Sequence, residues 1–157
     1  MSDFRLLDVD QYDDEALTAA DLDAQDPRSA QELQRTVQEH QTRVRACLAS
    51  GDTAGALTEI LADPPYGGRA GDARRATFAL LADVLNATRS ADITPALEAL
   101  DTTQRDTLMK FLYKGLALGA SPAGSAPGVN CAIFLGWHEK VAGTGCIMRV
   151  MTDRRVF

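Results

Sequence analysis

Several features are scarce or missing in this sequence, and each shortage excludes a class of protein. No run of about 18 apolar residues occurs, so we expect no membrane-spanning helix. Aromatic residues make up only 6% of the chain, with a single tryptophan, which is too few for a surface that stacks nucleobases. The first residues are acidic and lack a basic-then-apolar signal, so we expect a protein that is not secreted.

Cysteine is also scarce, with three widely spaced residues at Cys47, Cys131 and Cys146. An odd number of cysteines without a secretory signal indicates reduced thiols and a cytoplasmic protein. Free cysteine is among the most buried residue types, so we predict that each thiol packs as a small apolar side chain.

Motifs that carry catalysis or bind metals are missing as well. His138-Glu139 begins a zinc-protease pattern, but Ala142 stands where the pattern needs its second histidine. Cys131 and Cys146 lie seven and eight residues from His138, whereas structural zinc ligands come in close pairs. No phosphate loop and no nucleophile elbow occurs. We therefore predict no enzyme activity, no metal site and no cofactor.

Charge is distributed unevenly along the chain. Residues 1–26 hold nine acidic side chains and one basic side chain, whereas the remainder holds 13 acidic and 15 basic ones. The net charge of −6 therefore comes from the N-terminal part. A chain of this sign repels nucleic acid and anionic lipid at long range, so we expect neither as a partner.

The composition predicts an acidic extended arm and linker over residues 1–28, followed by a helical body over residues 29–157. An acidic, aliphatic-poor arm cannot bury enough surface alone to offset its ordering entropy. Apolar side chains nevertheless recur among the carboxylates between Phe4 and Tyr12. This pattern suits an extended peptide laid on the groove or edge of a partner, and a solvated tail is the alternative that composition leaves open.

The body is predicted to be helical throughout. Ser29 and Glu32 have the spacing of a capping box, Gly51 is placed to end that first helix, and Asp52 can cap the second. Thr103 and Asp106 are predicted to open the fifth helix. No segment shows the β-branched alternation of a strand. We predict an all-α fold of about seven helices, stacked as antiparallel helical pairs into a small α-α superhelix with an extended N-terminal arm.

Two segments in the last third are predicted to form helices that are apolar on more than one side. In residues 107–119, one stripe at helical spacing sits beside a second one; the first is Leu108, Phe111, Leu112 and Leu116, and the second is Met109 and Tyr113. Such a helix must be covered from two directions. In the later segment, Trp137 is predicted to lie in the core, with an interface anchor as the alternative.

Short sequence motifs in these segments resemble those of a known family. These motifs are Leu108-Met109-Lys110, Tyr113-Lys114-Gly115, Trp137-His138-Glu139-Lys140 and Arg149-Val150-Met151-Thr152. They resemble the C-terminal domain of the smallest subunit, subunit five, of the actin-related protein 2/3 complex, which branches actin filaments. The resemblance implies a non-catalytic scaffold subunit of the cytoplasm and actin cytoskeleton, with the other subunits as partners and actin filaments as indirect ones.

The N-terminal arm carries the same resemblance, because the family begins with a similar run and uses it to tether an actin-related protein. The resemblance implies arm contacts at Phe4, Arg5, Asp8, Val9, Asp10 and Tyr12. In the matched C-terminal stretch, the candidate contacts with core scaffold subunits are Lys110, Lys114, Trp137 and Lys140. The alternative that the residues alone leave open is a free-standing helical-repeat adaptor that binds a partner peptide in its groove.

Overall fold

A computed structural model of the chain describes residues 24–120, 128–142, 146–155 and 157. Over these ranges it contains helices and no strand, which confirms the all-α prediction with its seven helices. The α-helices are α1 Ala30–Ala49, α2 Thr53–Ala62, α3 Gly71–Ala87, α4 Ile93–Ala99, α5 Thr102–Gly119, α6 Cys131–Ala142 and α7 Ile147–Thr152. None of these helices is both long enough and apolar enough to cross a membrane. How they pair into layers stays a prediction.

The first two helices begin and end where local chemistry places them. The Ser29 hydroxyl accepts from the Glu32 amide at 3.3 Å, and the Glu32 carboxylate accepts from the Ser29 amide at 2.8 Å, which completes the predicted capping box. Gly51 follows α1 with a φ of 77°, a conformation that glycine adopts without a steric penalty. The Asp52 carboxylate then accepts from the Gly55 amide at 2.8 Å and caps α2.

The start of α5 differs from the prediction that Thr103 and Asp106 open it. Asp101 is the N-cap, and its carboxylate accepts from the Gln104 amide at 2.7 Å while Gln104 Oε1 accepts from the Asp101 amide at 3.0 Å. Aspartate and glutamine satisfy the same free amides as the commoner Ser/Thr and Glu pair. Asp106 instead bonds Arg149 of α7 at 2.7 Å, so its role is tertiary.

Helix α2 is the centre of the body, since it contacts α1, α3, α4 and α5. Four of its apolar residues are at most 1% exposed; they are Ala56, Leu57, Ile60 and Leu61. Thr58 is exposed and Glu59 pairs with Arg43 of α1, so the polar side of this ten-residue helix is narrow.

Helix α5 is covered from two directions, as its double stripe predicts. Leu108, Met109 and Leu112 are 0% exposed, and the helix contacts α2, α6 and α7. Tyr113 departs from the second stripe and is 41% exposed, because it turns to the surface beside His138. The Tyr113 hydroxyl lies 3.3 Å from His138 Nε2.

The crossing of α5 and α6 requires a glycine. A Cβ atom on Gly115 would lie 2.1 Å from Cε1 of Phe134, whose side chain is fully buried. Only a residue without a side chain allows the two helices to approach this closely. The Tyr113-Lys114-Gly115 motif therefore has a packing role in addition to any surface role.

Candidate partner-binding site

The arm residues that were predicted to contact a partner lie outside the described residues, which begin at residue 24. Those six residues are Phe4, Arg5, Asp8, Val9, Asp10 and Tyr12. Their role stays a prediction, and so does the boundary between arm and body. The structure does describe residues 24–28, which are the end of the predicted arm and linker.

Residues 24–28 are fixed to the body by the ion pair of Arg28 with Asp63 and by Asp26, which is 3% exposed and accepts a hydrogen bond from the Tyr66 backbone. Its carboxylate accepts from Nε of Arg28 at 2.8 Å and from Nη2 at 2.6 Å, and Arg28 also bonds Asp63. These hydrogen bonds from the Arg28 side chain hold the pKa of Asp26 below its ordinary value, against the opposing effect of burial. The end of the predicted linker is therefore held by a charged network at the surface of the body.

The arm leaves the body beside the last residues of the sequence. The Ala24 amide donates to the Arg154 carbonyl oxygen at 3.5 Å. Gly67 lies beneath this contact with a φ of 76°, and a Cβ atom there would lie 2.6 Å from the Ala24 carbonyl oxygen. Any side chain at this glycine would push residues 24–25 away from the body.

The last residues form a tail segment, 153–155 and 157, which runs back along α5. Lys110 of α5 donates from Nζ to the carbonyl oxygens of Asp153 at 3.1 Å and Arg155 at 2.8 Å. It also pairs with the Asp153 carboxylate at 2.9 Å. Burial raises the pKa of Asp153, but the hydrogen bonds from Arg155 and Lys110 outweigh it and hold the pKa well below its usual range.

Phe157 completes the tail segment and is 5% exposed. Its ring centroid lies 5.3 Å from that of Phe111 and 6.5 Å from that of Tyr66 in an edge arrangement. Lys110 Nζ lies 5.4 Å from the centre of the same ring. The phenylalanine therefore closes one end of an aromatic cluster whose other members come from α5 and the loop after α2.

A cavity of about 550 Å³ opens beside Phe157, between α3 and α5. We call it the aromatic groove, and its lining residues are Gly71, Arg74, Arg75, Phe78, Ala79, Phe111, Lys114, Leu118 and Phe157. Its volume falls in the range of about 300–1,000 Å³ that is typical of ligand pockets. Among the nine described residues that line it, three are cationic and none is anionic, so this lining combines apolar walls with positive charge.

Two of the cations of the aromatic groove lack an anionic partner. Arg75 pairs with Asp72, but neither Arg74 nor Lys114 pairs with a carboxylate of any described residue. Arg74 donates from Nη1 to the Gly67 carbonyl oxygen at 3.0 Å. Its Nε is buried without a hydrogen-bond partner in the described part of the chain. A buried, unpaired donor on a guanidinium is costly.

A second surface is apolar and exposed. Met148 and Met151, three residues apart on α7, are 74% and 80% exposed, and Ile147 beside them is 38% exposed. We call these three residues the methionine face. Helix α7 is fixed on α5 by Arg149, which donates to both oxygens of Asp106 at 2.7 and 2.9 Å. Flexible thioether side chains are common at surfaces that bind protein partners.

The four body residues with a predicted partner role do not share a surface. Trp137 is 0% exposed and donates from Nε1 to the Leu85 carbonyl oxygen at 3.4 Å, so it lies in the core, as predicted. Lys110 lies under the tail segment, while Lys114 lines the aromatic groove. Lys140 reaches Thr94 on α4 at 3.4 Å. Direct contact of these residues with a partner stays a prediction.

Sequence reasoning missed Arg74, Phe157 and Met148 as candidate site residues. A signal existed for Phe157, because an aromatic residue after Asp153-Arg154-Arg155 is placed to pack back against the body. No sequence signal predicted the aromatic groove, since its walls come from three parts of the chain. In the described ranges, no group of three or more His, Cys, Asp or Glu side chains is arranged to hold a metal ion.

Comparison with known proteins extends over both arm and body. A family model for the ARP2/3 complex 16 kDa subunit (p16-Arc) matches residues 3–157. Actin-related protein 2/3 complex subunit 5 of Saccharomyces cerevisiae is 33% identical, with 98% of this chain and 97% of the relative aligned. Subunit 5-C of Xenopus laevis is 34% identical over 97% of this chain and 93% of the relative. The human subunit 5-like protein is 30% identical, with shares of 98% and 94%.

Proposed function

Because this chain belongs to the ARP2/3 complex 16 kDa subunit (p16-Arc) family, we propose that it acts as a non-catalytic scaffold subunit of the actin-related protein 2/3 complex. In this role it helps to assemble the complex and tethers the actin-related protein for nucleation of branched actin filaments. Its partners are the other subunits, core scaffold subunits among them, and actin filaments indirectly. Its location is the cytoplasm, at the actin cytoskeleton.

One observation carries this proposal, namely that the family match runs from residue 3 to residue 157. The acidic arm and the helical body are therefore matched together rather than as separate pieces. A protein that acted through its body alone would not need an arm in which apolar and acidic residues are interleaved. The proposal assigns the body to assembly and the arm to tethering.

The methionine face supports the assembly role of the body. Met148 and Met151 expose most of their side chains on a helix that has no buried residue of its own. Exposing such a surface to water is unfavourable, and covering it with a partner lowers the free energy. We assign the methionine face to contact with another subunit of the complex.

The anchoring of residues 24–28 supports the tethering role of the arm. Tyr12 and Ala24 are twelve positions apart, and a random-coil link of that length would span about 20 Å on average. A link of this length holds two binding surfaces at an effective concentration of about 1 mM. Weak contacts of the arm with an actin-related protein are thereby strengthened once the body is bound elsewhere in the complex.

Deletion of residues 1–23 tests the tethering role. The truncated chain keeps Asp26 and its contacts, so we expect it to enter the reconstituted complex as the full chain does. We expect faster loss of the actin-related protein on dilution and slower filament nucleation in a pyrene-actin assay. Equal retention and equal nucleation by the truncated complex would contradict the tethering role.

A free-standing adaptor that binds a peptide is the second candidate, and the aromatic groove is the observation that favours it. Size-exclusion chromatography of native lysate separates the two candidates. A complex subunit elutes with actin-related proteins at a few hundred kilodaltons, whereas an adaptor elutes near its own mass or with varied partners. Elution of most of the chain near 17 kDa would favour the adaptor.

A further inference from the structure

We propose that the aromatic groove binds residues 3–14 of the same chain while the subunit is free of its complex. The groove and the arm would then form an internal contact that assembly has to open. The internal contact concerns the isolated chain and does not rest on the proposed function, whereas its opening on assembly does.

The chemistry of the groove selects an acidic and apolar occupant. Phe78, Phe111 and Phe157 supply apolar walls, while Arg74 and Lys114 supply positive charge that no described carboxylate neutralises. A purely apolar occupant would bury these charges without pairing them, at a large cost in free energy. An occupant that alternates carboxylates with apolar side chains satisfies both needs.

Residues 7–10 have that alternation, within the acidic and apolar segment 3–14. Phe4, Leu7, Val9 and Tyr12 are interleaved with five aspartates, at positions 3, 8, 10, 13 and 14. In an extended peptide, neighbouring side chains project to opposite sides. Leu7 and Val9 therefore share one side, suited to the apolar walls, and the aspartates at 8 and 10 share the other. The single base of the segment, Arg5, leaves it strongly negative.

The point where the arm leaves the body places it within reach of the groove. Ala24 contacts Arg154, and Arg154 is three residues from Phe157, which lines the groove. Three residues span at most about 11 Å. Tyr12 and Ala24 are twelve positions apart, a length of chain that can reach at most about 40 Å and would average about 20 Å as a random coil. The arm can therefore enter the groove without any change in residues 24–28.

Attachment also favours the chain's own arm over that of a second copy. A link of this length gives the arm an effective concentration of about 1 mM at the groove. A second copy at a few micromolar is roughly a hundredfold to a thousandfold less concentrated. The same segment is then shared between the groove and its partner in the complex, so docking lowers the apparent affinity of the arm for that partner.

Carbodiimide cross-linking of the purified full chain tests the contact directly. This reagent joins a carboxylate to a lysine amine without a spacer, and Lys114 is the lysine that lines the exposed part of the groove. We expect cross-links from Lys114 to Asp8 or Asp10, at least about fivefold more abundant than cross-links from the arm to the exposed Lys140. No preference for Lys114 over Lys140 would overturn the proposal.

Isotope mixing identifies the occupant in the same experiment. In an equal mixture of unlabelled and ¹⁵N-labelled chains, we expect Lys114 to be joined to arm peptides of its own label only. Mixed-label peptides in the statistical proportion would show that the arm of a second copy occupies the groove, and would overturn the proposal.

A charge-reversal variant gives a second readout on the intact chain. We expect Lys114→Glu to move the amide resonances of residues 4–12 toward those of a free arm peptide, with the docked population reduced about fivefold. Arg45→Glu changes the net charge equally on exposed α1 and should leave those resonances in place. Identical arm spectra for Lys114→Glu and the wild type would overturn the proposal, whatever the outcome of arm deletion in the complex.

Discussion

At the scale of single residues, buried charged groups fix the two ends of the described chain. Asp26 holds Arg28, which bonds Asp63 of the body, and Lys110 anchors the tail segment through Asp153. Each of these groups is largely buried with its partners in place, so it stabilises the fold only while those partners remain. Removing one group leaves its partner unsatisfied, which makes these positions sensitive to substitution.

Asp26→Asn should lower the free energy of unfolding by about 1–3 kcal/mol, because Arg28 loses its buried carboxylate. Asp63→Asn is the matched control, since Asp63 bonds the same arginine but its side chain is 64% exposed. We expect that control to cost less than about 1 kcal/mol. Urea denaturation of both variants measures the difference, and equal effects would contradict the anchoring role of Asp26.

The same carboxylate gives a pH dependence with a definite sign. The pKa of Asp26 is lowered from an ordinary value of 3.8, so its contribution to stability is complete above that value. The contribution is lost as the pH falls through the lower pKa of the folded state. The destabilising effect of Asp26→Asn measured at pH 7 should therefore shrink progressively below about pH 4.

Lys110→Met should release the tail segment, because the Asp153 and Arg155 carbonyl oxygens lose their shared donor. We expect a loss of about 1–3 kcal/mol in the free energy of unfolding and faster hydrogen exchange over residues 150–157. Lys140→Met, at an exposed lysine, should change stability by less than about 0.5 kcal/mol. Unchanged exchange in Lys110→Met would show that Phe157 holds the tail segment without the lysine.

At the scale of elements, local signals and long-range packing were not equally predictable. The capping box of Ser29 depends on atoms within three residues, so the sequence alone predicted it. The N-cap of α5 was missed because Asp101 and Gln104 are a less common pair for the same geometry. The requirement for Gly115 depends on Phe134 of another helix, and the sequence cannot show which residue will approach that glycine.

The same distinction applies to the candidate site. The arm was predicted from its composition and from its residue motif, both of which are local features of the sequence. The aromatic groove is formed by α3, α5 and the tail segment, so it exists only after folding. Lys114 was identified as a matched residue, but its neighbour Arg74 across the groove belongs to a segment without any matching motif.

Gly115→Ala should destabilise the protein even though alanine is the better helix former. The new methyl group would lie 2.1 Å from Phe134 Cε1, and a fully buried ring has no free space to occupy. We expect a net loss of about 1–3 kcal/mol.

Gly136→Ala on α6 is the matched control, since a Cβ atom there meets nothing within 4 Å. That change should stabilise the helix by about 0.5–1 kcal/mol. Thermal unfolding of the two variants should shift in opposite directions. A shift to higher melting temperature in both would mean that α5 and α6 are farther apart than the structure indicates.

At the scale of the whole molecule, stability and assembly are assigned to different surfaces. The core surrounds α2 and α5, whereas the methionine face lies outside it on α7. Substitutions on that face should therefore affect partners without affecting the fold.

The double variant Met148→Ser, Met151→Ser should keep its free energy of unfolding within about 0.5 kcal/mol of the wild type. If the methionine face contacts another subunit, co-purification with the complex should fall at least tenfold. Gln41→Ser, at an exposed position of α1, should leave both quantities unchanged. Full co-purification of the double variant would show that the methionine face does not contact another subunit.

The central position of α2 has a consequence for the newly made chain. Helix α2 leaves the ribosome roughly 60 residues ahead of the end of α5, one of the helices that cover it. At about 5–20 residues per second, the part of its apolar surface that α5 covers stays exposed for roughly 3 to 12 seconds during synthesis. A slow codon between positions 62 and 102 would lengthen that exposure.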